Sequence, residues 1–228
     1  MSEIKRNGHG AMDMTQGSPT RLIVLFSLPL LAGNVLQQLY NMVDSVVVGN
    51  YVGSSALTAV GAGFSIMFLI SSLFLGFSMG ATIMIAQYVG AGAQGAVGRT
   101  VDTIYSALLV IIVPLTLLGV LASGPLLTLI RVPQEAYEQA RTYCMVVLGG
   151  IIGTLGYNMN SGIMRGLGDS RTPLIFLFIA CVINIVLDLV FVLVFSWGVF
   201  GVALATILAQ ICSWVFGIFY INRKYPFL

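Results

Sequence analysis

Long apolar runs make up most of this chain, and polar residues interrupt them at helical rather than alternating intervals. Six runs stand out, at residues 22–48, 56–89, 101–123, 138–163, 173–196 and 201–222. A hydrocarbon core of about 30 Å takes about 20 apolar residues of helix, so each run is long enough to cross it. The pattern predicts an all-α, polytopic membrane protein with six transmembrane helices. The second and fourth runs exceed one span and are expected to tilt or to extend into water. Pro29 and Pro114 fall inside runs, where the missing N–H and the ring should kink a helix.

The interruptions form stripes. In the first run Asn34, Gln37 or Gln38, Asn41 and Asp44 advance by three and four residues, with Tyr40 and Ser45 close by. Asn184 and Asp188 share a face of the fifth run, and Thr206, Gln210 and Ser213 share a face of the sixth. A charge at bilayer depth costs roughly 2.5–3.5 kcal/mol on insertion scales, so Asp188 and Asp44 must face protein or a water-filled cavity. The plainer reading is interhelical glue, at around 0.6 kcal/mol per hydrogen bond. It suits Thr206, Gln210, Ser213 and Gln37 better than Asp188. If the faces converge, Asp44, Asn184, Asp188 and Thr206 supply carboxylate, amide and hydroxyl oxygens suited to a hard cation such as Na+, or to a proton. Asn34, Gln37, Tyr40, Asn41 and Gln210 are then candidates to line a polar cavity.

Composition narrows the field further. The chain is 58% hydrophobic and 8% charged, against about 25% charged in soluble domains. A net charge of +2, with scattered basic residues, gives no footprint for nucleic acid. Cys144, Cys181 and Cys212 lie within apolar runs and lack metal-ligand or disulfide spacing, so they read as small buried hydrophobes. His9, the one histidine, sits in a polar tail of residues 1–19 that is expected to be a short cytoplasmic extension rather than a cleaved signal. With no histidine in the apolar runs and no nucleophile–base set, a membrane enzyme is not indicated.

Basic residues set the expected orientation. Lys5, Arg6, Arg21, Arg99, Arg165, Arg171, Arg223 and Lys224 fall on one side of the six-span topology, and Arg131 and Arg141 on the other. The positive-inside rule puts both termini in the cytoplasm and the protein in the cytoplasmic (plasma or inner) membrane. The glycine-punctuated connections at 87–92 and 165–173 read as tight turns and helix caps, since neither carries a phosphate-loop pattern. Asp102 and Asp169 read as ordinary loop charges beside Arg99 and Arg171.

Several stretches, in order, are similar to the multidrug and toxic compound extrusion (MATE) family. They are Pro29-Leu-Leu-Ala-Gly-Asn34-Val-Leu-Gln-Gln-Leu-Tyr40-Asn-Met-Val-Asp44 with Val48-Gly49-Asn-Tyr-Val-Gly53, then Ala86-Gln87-Tyr-Val-Gly90-Ala-Gly92. Arg165-Gly-Leu-Gly168-Asp169-Ser-Arg-Thr172-Pro173, Asn184-Ile-Val-Leu-Asp188-Leu-Val-Phe191 and Gly198-Val-Phe-Gly201-Val-Ala-Leu-Ala-Thr206-Ile-Leu-Ala-Gln210 follow. The resemblance runs from about residue 18 onward. It implies a fold of two six-helix lobes, twelve helices in all, and here an N-terminal lobe at 20–228. It also implies a cation site at Asp44, Asn184, Asp188 and Thr206, coupling by H+ or Na+, no other cofactor, and export of amphipathic, often cationic, drug-like compounds. A lone lobe leaves its cavity face bare, so a second six-helix lobe or a second copy is the expected partner, along with the bilayer. The competing functions are a flippase for lipid-linked saccharides and a half-length, non-transporting membrane subunit. A flippase favours a cationic lumen, for which Arg141 is the marginal basic candidate.

Overall fold

The computed structural model describes residues 17–226, and His9 and the rest of the expected tail up to residue 16 lie outside them. Among the described residues all regular structure is helical. Helices α1 (Pro19–Tyr51), α2 (Ser54–Gly90) and α3 (Gln94–Leu129) are followed by α4 (Gln134–Gly149) and α5 (Ile151–Gly166), then α6 (Arg171–Leu189) and α7 (Gly198–Lys224). Five helices are long and apolar enough to cross a membrane. α4 and α5, bent by 50° at their junction, are together long and apolar enough to count as a sixth.

That bend corrects the expectation of one long fourth helix. It falls at Gly149-Gly150, while Pro29, Pro114 and Pro125 all lie inside unbroken helices. Tertiary packing is tight there. A Cβ on Gly150 would stand 2.1 Å from the Ile207 side chain of α7, so glycine is what lets α7 come this close where α4 hands over to α5. Glycine also carries the weakest helical preference after proline.

Small residues let α5 approach its neighbours. A Cβ on Gly153 would meet the Ile211 backbone nitrogen at 3.0 Å, and one on Gly156 the Trp214 ring at 2.4 Å, both on α7. Lower on the same helix, Gly166 faces the Thr82 carbonyl of α2, at 2.9 Å from such a Cβ. In lipid, where apolar burial alone drives little association, close backbone approach and interhelical hydrogen bonds hold helices together. Asn160 adds such a bond: its amide donates to Trp214 O at 2.9 Å, and Tyr105 of α3 donates to its Oδ1. Helix α6 packs against both α1 and α7, so the fifth span lies between the first and the sixth.

The turns after α2 and α5 have the expected glycine chemistry. Gly92 (φ +70°) and Gly168 (φ +86°) are left-handed. In each, the next residue's N–H reaches back to the third-last helical carbonyl: Ala93 to Tyr88 at 2.9 Å and Asp169 to Met164 at 2.8 Å. This geometry satisfies carbonyls that the helix end leaves open.

The two aspartates read as ordinary loop charges fare differently: Asp102 is the exposed charge expected, and Asp169 is not. Asp102 stands exposed on α3, inside a helix. Asp169 is buried: Lys224 Nζ of α7 lies 2.9 Å from its Oδ2, the Thr172 hydroxyl donates to the same oxygen at 2.7 Å, and the Thr172 N–H donates to Oδ1 at 3.0 Å. Asp169 therefore caps α6 and latches the end of α7 to it. Of the cysteines, Cys144 and Cys181 are buried in apolar clusters and Cys212 is half-buried.

Candidate functional site

Three helices bring the expected cluster together. Asp188 and Asn184 lie one turn apart on α6 and are 0% exposed. Asp44 is buried on α1, whose extension to Tyr51 places it two turns inside the helix rather than at its end. Thr206 completes the group from α7, its hydroxyl bonded to Val202 O at 3.0 Å. The Asn184 amide, oriented by its partners, donates to Asp188 Oδ2 at 3.0 Å and accepts from the Thr206 N–H at 3.1 Å. The carboxyl groups of Asp44 and Asp188 are immediate neighbours, with Tyr40 and Tyr143 beside them.

Two oxygens are conspicuous. Asp44 Oδ1 and Asp188 Oδ1 are both buried without a hydrogen-bond partner. Buried polar atoms are nearly always paired, and an exception needs an explanation such as an ion. Two facing carboxylates with one open oxygen each, plus nearby amide and hydroxyl oxygens, form an all-oxygen donor set. It suits a proton or a hard cation and offers nothing to a soft metal.

Directly after Asp188, α6 ends in a π-helical turn, Val190–Val194, before the left-handed Ser196. π-turns of this kind are frequent at functional sites.

A cavity of about 530 Å³ opens beside the cluster. Asp44 and Thr206 form part of its wall, whereas Asn184 and Asp188 sit behind that wall, away from the lumen. Gln37, Tyr40, Asn41 and Gln210 line it as expected, and Asn34 lines a smaller chamber next to it. Gln210 Oε1 is buried without a partner, so it is not glue. Ser213 is: its hydroxyl donates to Phe176 O of α6 at 3.2 Å.

The sequence reasoning missed one wall. Thr154, Tyr157 and Asn158 of α5 and Tyr143 of α4 also face the main cavity, and Ser161 and Arg165 of α5 face the smaller one. Thr154, Asn158, Ser161 and Arg165 repeat every three or four residues, the same signal that revealed the α1 stripe. Arg141, the expected basic candidate at membrane depth, is exposed on α4, and no lysine or arginine lines the main cavity.

Comparison with known proteins agrees with this architecture. The MatE family is matched over residues 29–190. A Bacillus subtilis protein described as the probable multidrug resistance protein YpnP is 34% identical over 219 residues, which is 95% of this chain and 49% of that protein. A Thermotoga maritima protein described as the probable multidrug resistance protein NorM is 31% identical, across 82% of this chain and 41% of its own. Among solved structures, an outward-facing multidrug resistance MATE transporter of the MOP superfamily superposes with a TM-score of 0.85 at 30% identity, over 91% of this chain and 46% of that one. The chain thus spans about half the length of the relatives it matches. On the family match and these likenesses together, the chain belongs to the MatE family of membrane transporters.

Proposed function

We propose that residues 20–228 form one lobe of a cation-coupled antiporter, with 1–19 as a tail, and that Asp44, Asn184, Asp188 and Thr206 hold the coupling H+ or Na+. The observation that carries this reading is the pair of buried, unpartnered oxygens on Asp44 and Asp188. Two carboxylates in a low-dielectric interior repel strongly, and a shared proton or Na+ between them removes that cost. The Asn184 amide holds Asp188 in place, and Asp44 at the cavity wall links the buried pair to the lumen.

Coupling then needs no direct contact between cargo and ion at every step. A cation on the pair and a cationic amphipath in the cavity compete for the same negative charge, so each favours the conformation in which the other is absent. Differential binding to two states is sufficient for exchange. The cargo assigned to the cavity is amphipathic and often cationic, since the lumen combines apolar and aromatic walls with Asp44 and no basic side chain. A second six-helix lobe or a second copy closes its open side. The bias of basic residues toward one side of the spans supports both ends of this lobe facing the cytoplasm, in the cytoplasmic membrane. The absence of basic side chains from the main cavity weighs against a flippase for anionic lipid-linked saccharides.

The test is transport of a fluorescent cationic dye by the protein in liposomes under an imposed Na+ or proton gradient. Gradient-driven movement that Asp188→Asn abolishes, with insertion intact, is the expected result. Normal transport by that variant overturns the assignment.

A further inference from the structure

A groove between α2 and α3 takes no part in the site described above. It has a volume of about 550 Å³, with Gly76, Phe77, Gly80 and Met84 of α2 on one side and Arg99 and Thr103 of α3 on the other. It has no wall residue in common with the main cavity, and the two lie on opposite faces of α2. Phe68, Ser71 and Leu75 face the main cavity, while Phe77, Gly80 and Met84, each nine residues further on, face the groove. Nine residues make two and a half turns at 3.6 per turn, which is half a revolution. A lobe that closes the main cavity therefore stands on the other side of α2 from this groove.

The groove is graded in polarity along its length. Tyr88, Arg99 and Thr100 lie toward the turn that joins the two helices, and Gly76 and Phe77 lie farthest from it. From Tyr88 to Gly76 is about 18 Å along α2, at 1.5 Å per residue. The threonine hydroxyls are already bonded to their own helix, Thr100 to Ala96 O at 2.8 Å and Thr103 to Arg99 O at 2.7 Å. Arg99 is exposed, and among the described residues no acidic group forms an ion pair with it. Asp102, one turn further along α3, is not part of the lining. At the apolar end a Cβ on Gly76 or Gly80 would meet nothing within 4 Å, and Phe77 and Met84 stand exposed beside them. The glycines thus keep open a slot that nothing in the fold fills.

A slot on a membrane span, hydrocarbon-lined at depth and carrying one unpaired cation toward the end of the span, has the polarity of a phospholipid. Basic pockets between spans attract anionic headgroups, and a guanidinium binds phosphate through two parallel bonds. We propose that the α2–α3 groove is a binding site for an anionic phospholipid, with an acyl chain along Gly76, Gly80 and Met84 and the phosphate against Arg99. The site stands apart from the carboxylate pair, so its test does not depend on the function proposed above.

Native mass spectrometry of the purified chain in a non-ionic detergent compares phosphatidylglycerol with phosphatidylcholine of the same acyl chains. Phosphatidylglycerol is expected to bind about fivefold more tightly, the worth of one basic side chain near a membrane surface. Arg99→Gln should bring the ratio of the two affinities to about one, and Arg99→Lys should keep part of it. Gly80→Leu, or Gly76→Leu, puts a side chain into open space and should weaken both lipids while leaving their ratio unchanged. Melting temperatures measured without lipid should show the variants folded as the native protein is. Equal binding of the two lipids by the native protein, or a preference that survives Arg99→Gln, overturns the proposal. Lipid binding that neither glycine variant weakens overturns it as well, because the chain would then lie elsewhere. So does full competition by glycerophosphoglycerol, the same headgroup without acyl chains, since the apolar slot would contribute nothing.

Discussion

Asn184 holds Asp188 and the backbone of Thr206 at once, donating to the carboxylate at 3.0 Å and accepting from the N–H at 3.1 Å. It ties α6 to α7 at the depth of the buried carboxylates. Asn184→Leu keeps the volume and removes both bonds. Because a hydrogen bond to a charged group is worth about 1.5–3 kcal/mol, cation affinity should fall about tenfold or more. The readout is the concentration of Na+ or protons needed to displace a bound cationic dye. An unchanged displacement curve would mean that Asn184 serves packing alone.

The latch between Asp169 and Lys224 should be sensitive to acid. Burial pushes the Asp169 carboxyl up, but the bonds from Lys224 and Thr172 outweigh it and hold the group below the usual carboxylate range. A carboxyl depressed in the folded protein contributes stability above its unfolded value, about 3.9, and loses it as pH falls through the folded one. Thermal unfolding in detergent should therefore show stability constant near neutrality and falling below about pH 4. Asp169→Asn should cost about 1–3 kcal/mol at neutral pH and flatten the part of the acid dependence due to this group. A variant as stable as the native protein would make the ion pair incidental.

Close approach of α5 to α7 gives a steric prediction. Gly153→Val places a branched side chain where a Cβ alone already meets the Ile211 backbone at 3.0 Å, and backbone cannot swing aside. Overpacking of this kind costs about 1–3 kcal/mol or more. Gly149→Ala, with nothing within 4 Å of the added Cβ, should change stability by less than about 1 kcal/mol. Melting temperatures of the two variants should separate clearly; equal effects would contradict the packing described.

Tyr105→Phe tests the buried Asn160 network. Asn160 is 1% exposed, and Tyr105 is the donor to its Oδ1, so the change leaves an acceptor buried without a partner. The expected cost is about 1–3 kcal/mol with little effect on dye binding, since neither residue lines the main cavity.

What could be read from residues alone followed from locality. The α1 stripe repeats within a single helix, so periodicity exposed it, and the lone carboxylate of the fifth run marked its own importance by its cost in lipid. The break at Gly149-Gly150 was hidden because the side chain packed against it, Ile207, lies on another helix. Asp169 was misread for the same reason. Arg171 is two residues away in sequence, but its true partner, Lys224, is 55 residues away. Arg165 was missed differently: the glycines that follow it drew it into a connection, whereas α5 carries it as its last turn, facing the chamber.

The most direct measurement is the affinity of a cationic dye for the purified protein across a range of pH and Na+ concentration, in the native chain and in Asp188→Asn. Dye affinity that falls as protons or Na+ rise, with that dependence lost in Asp188→Asn, is the expected result. Dye binding indifferent to both ions, or an ion dependence that survives Asp188→Asn, would contradict a coupling site built on Asp44 and Asp188.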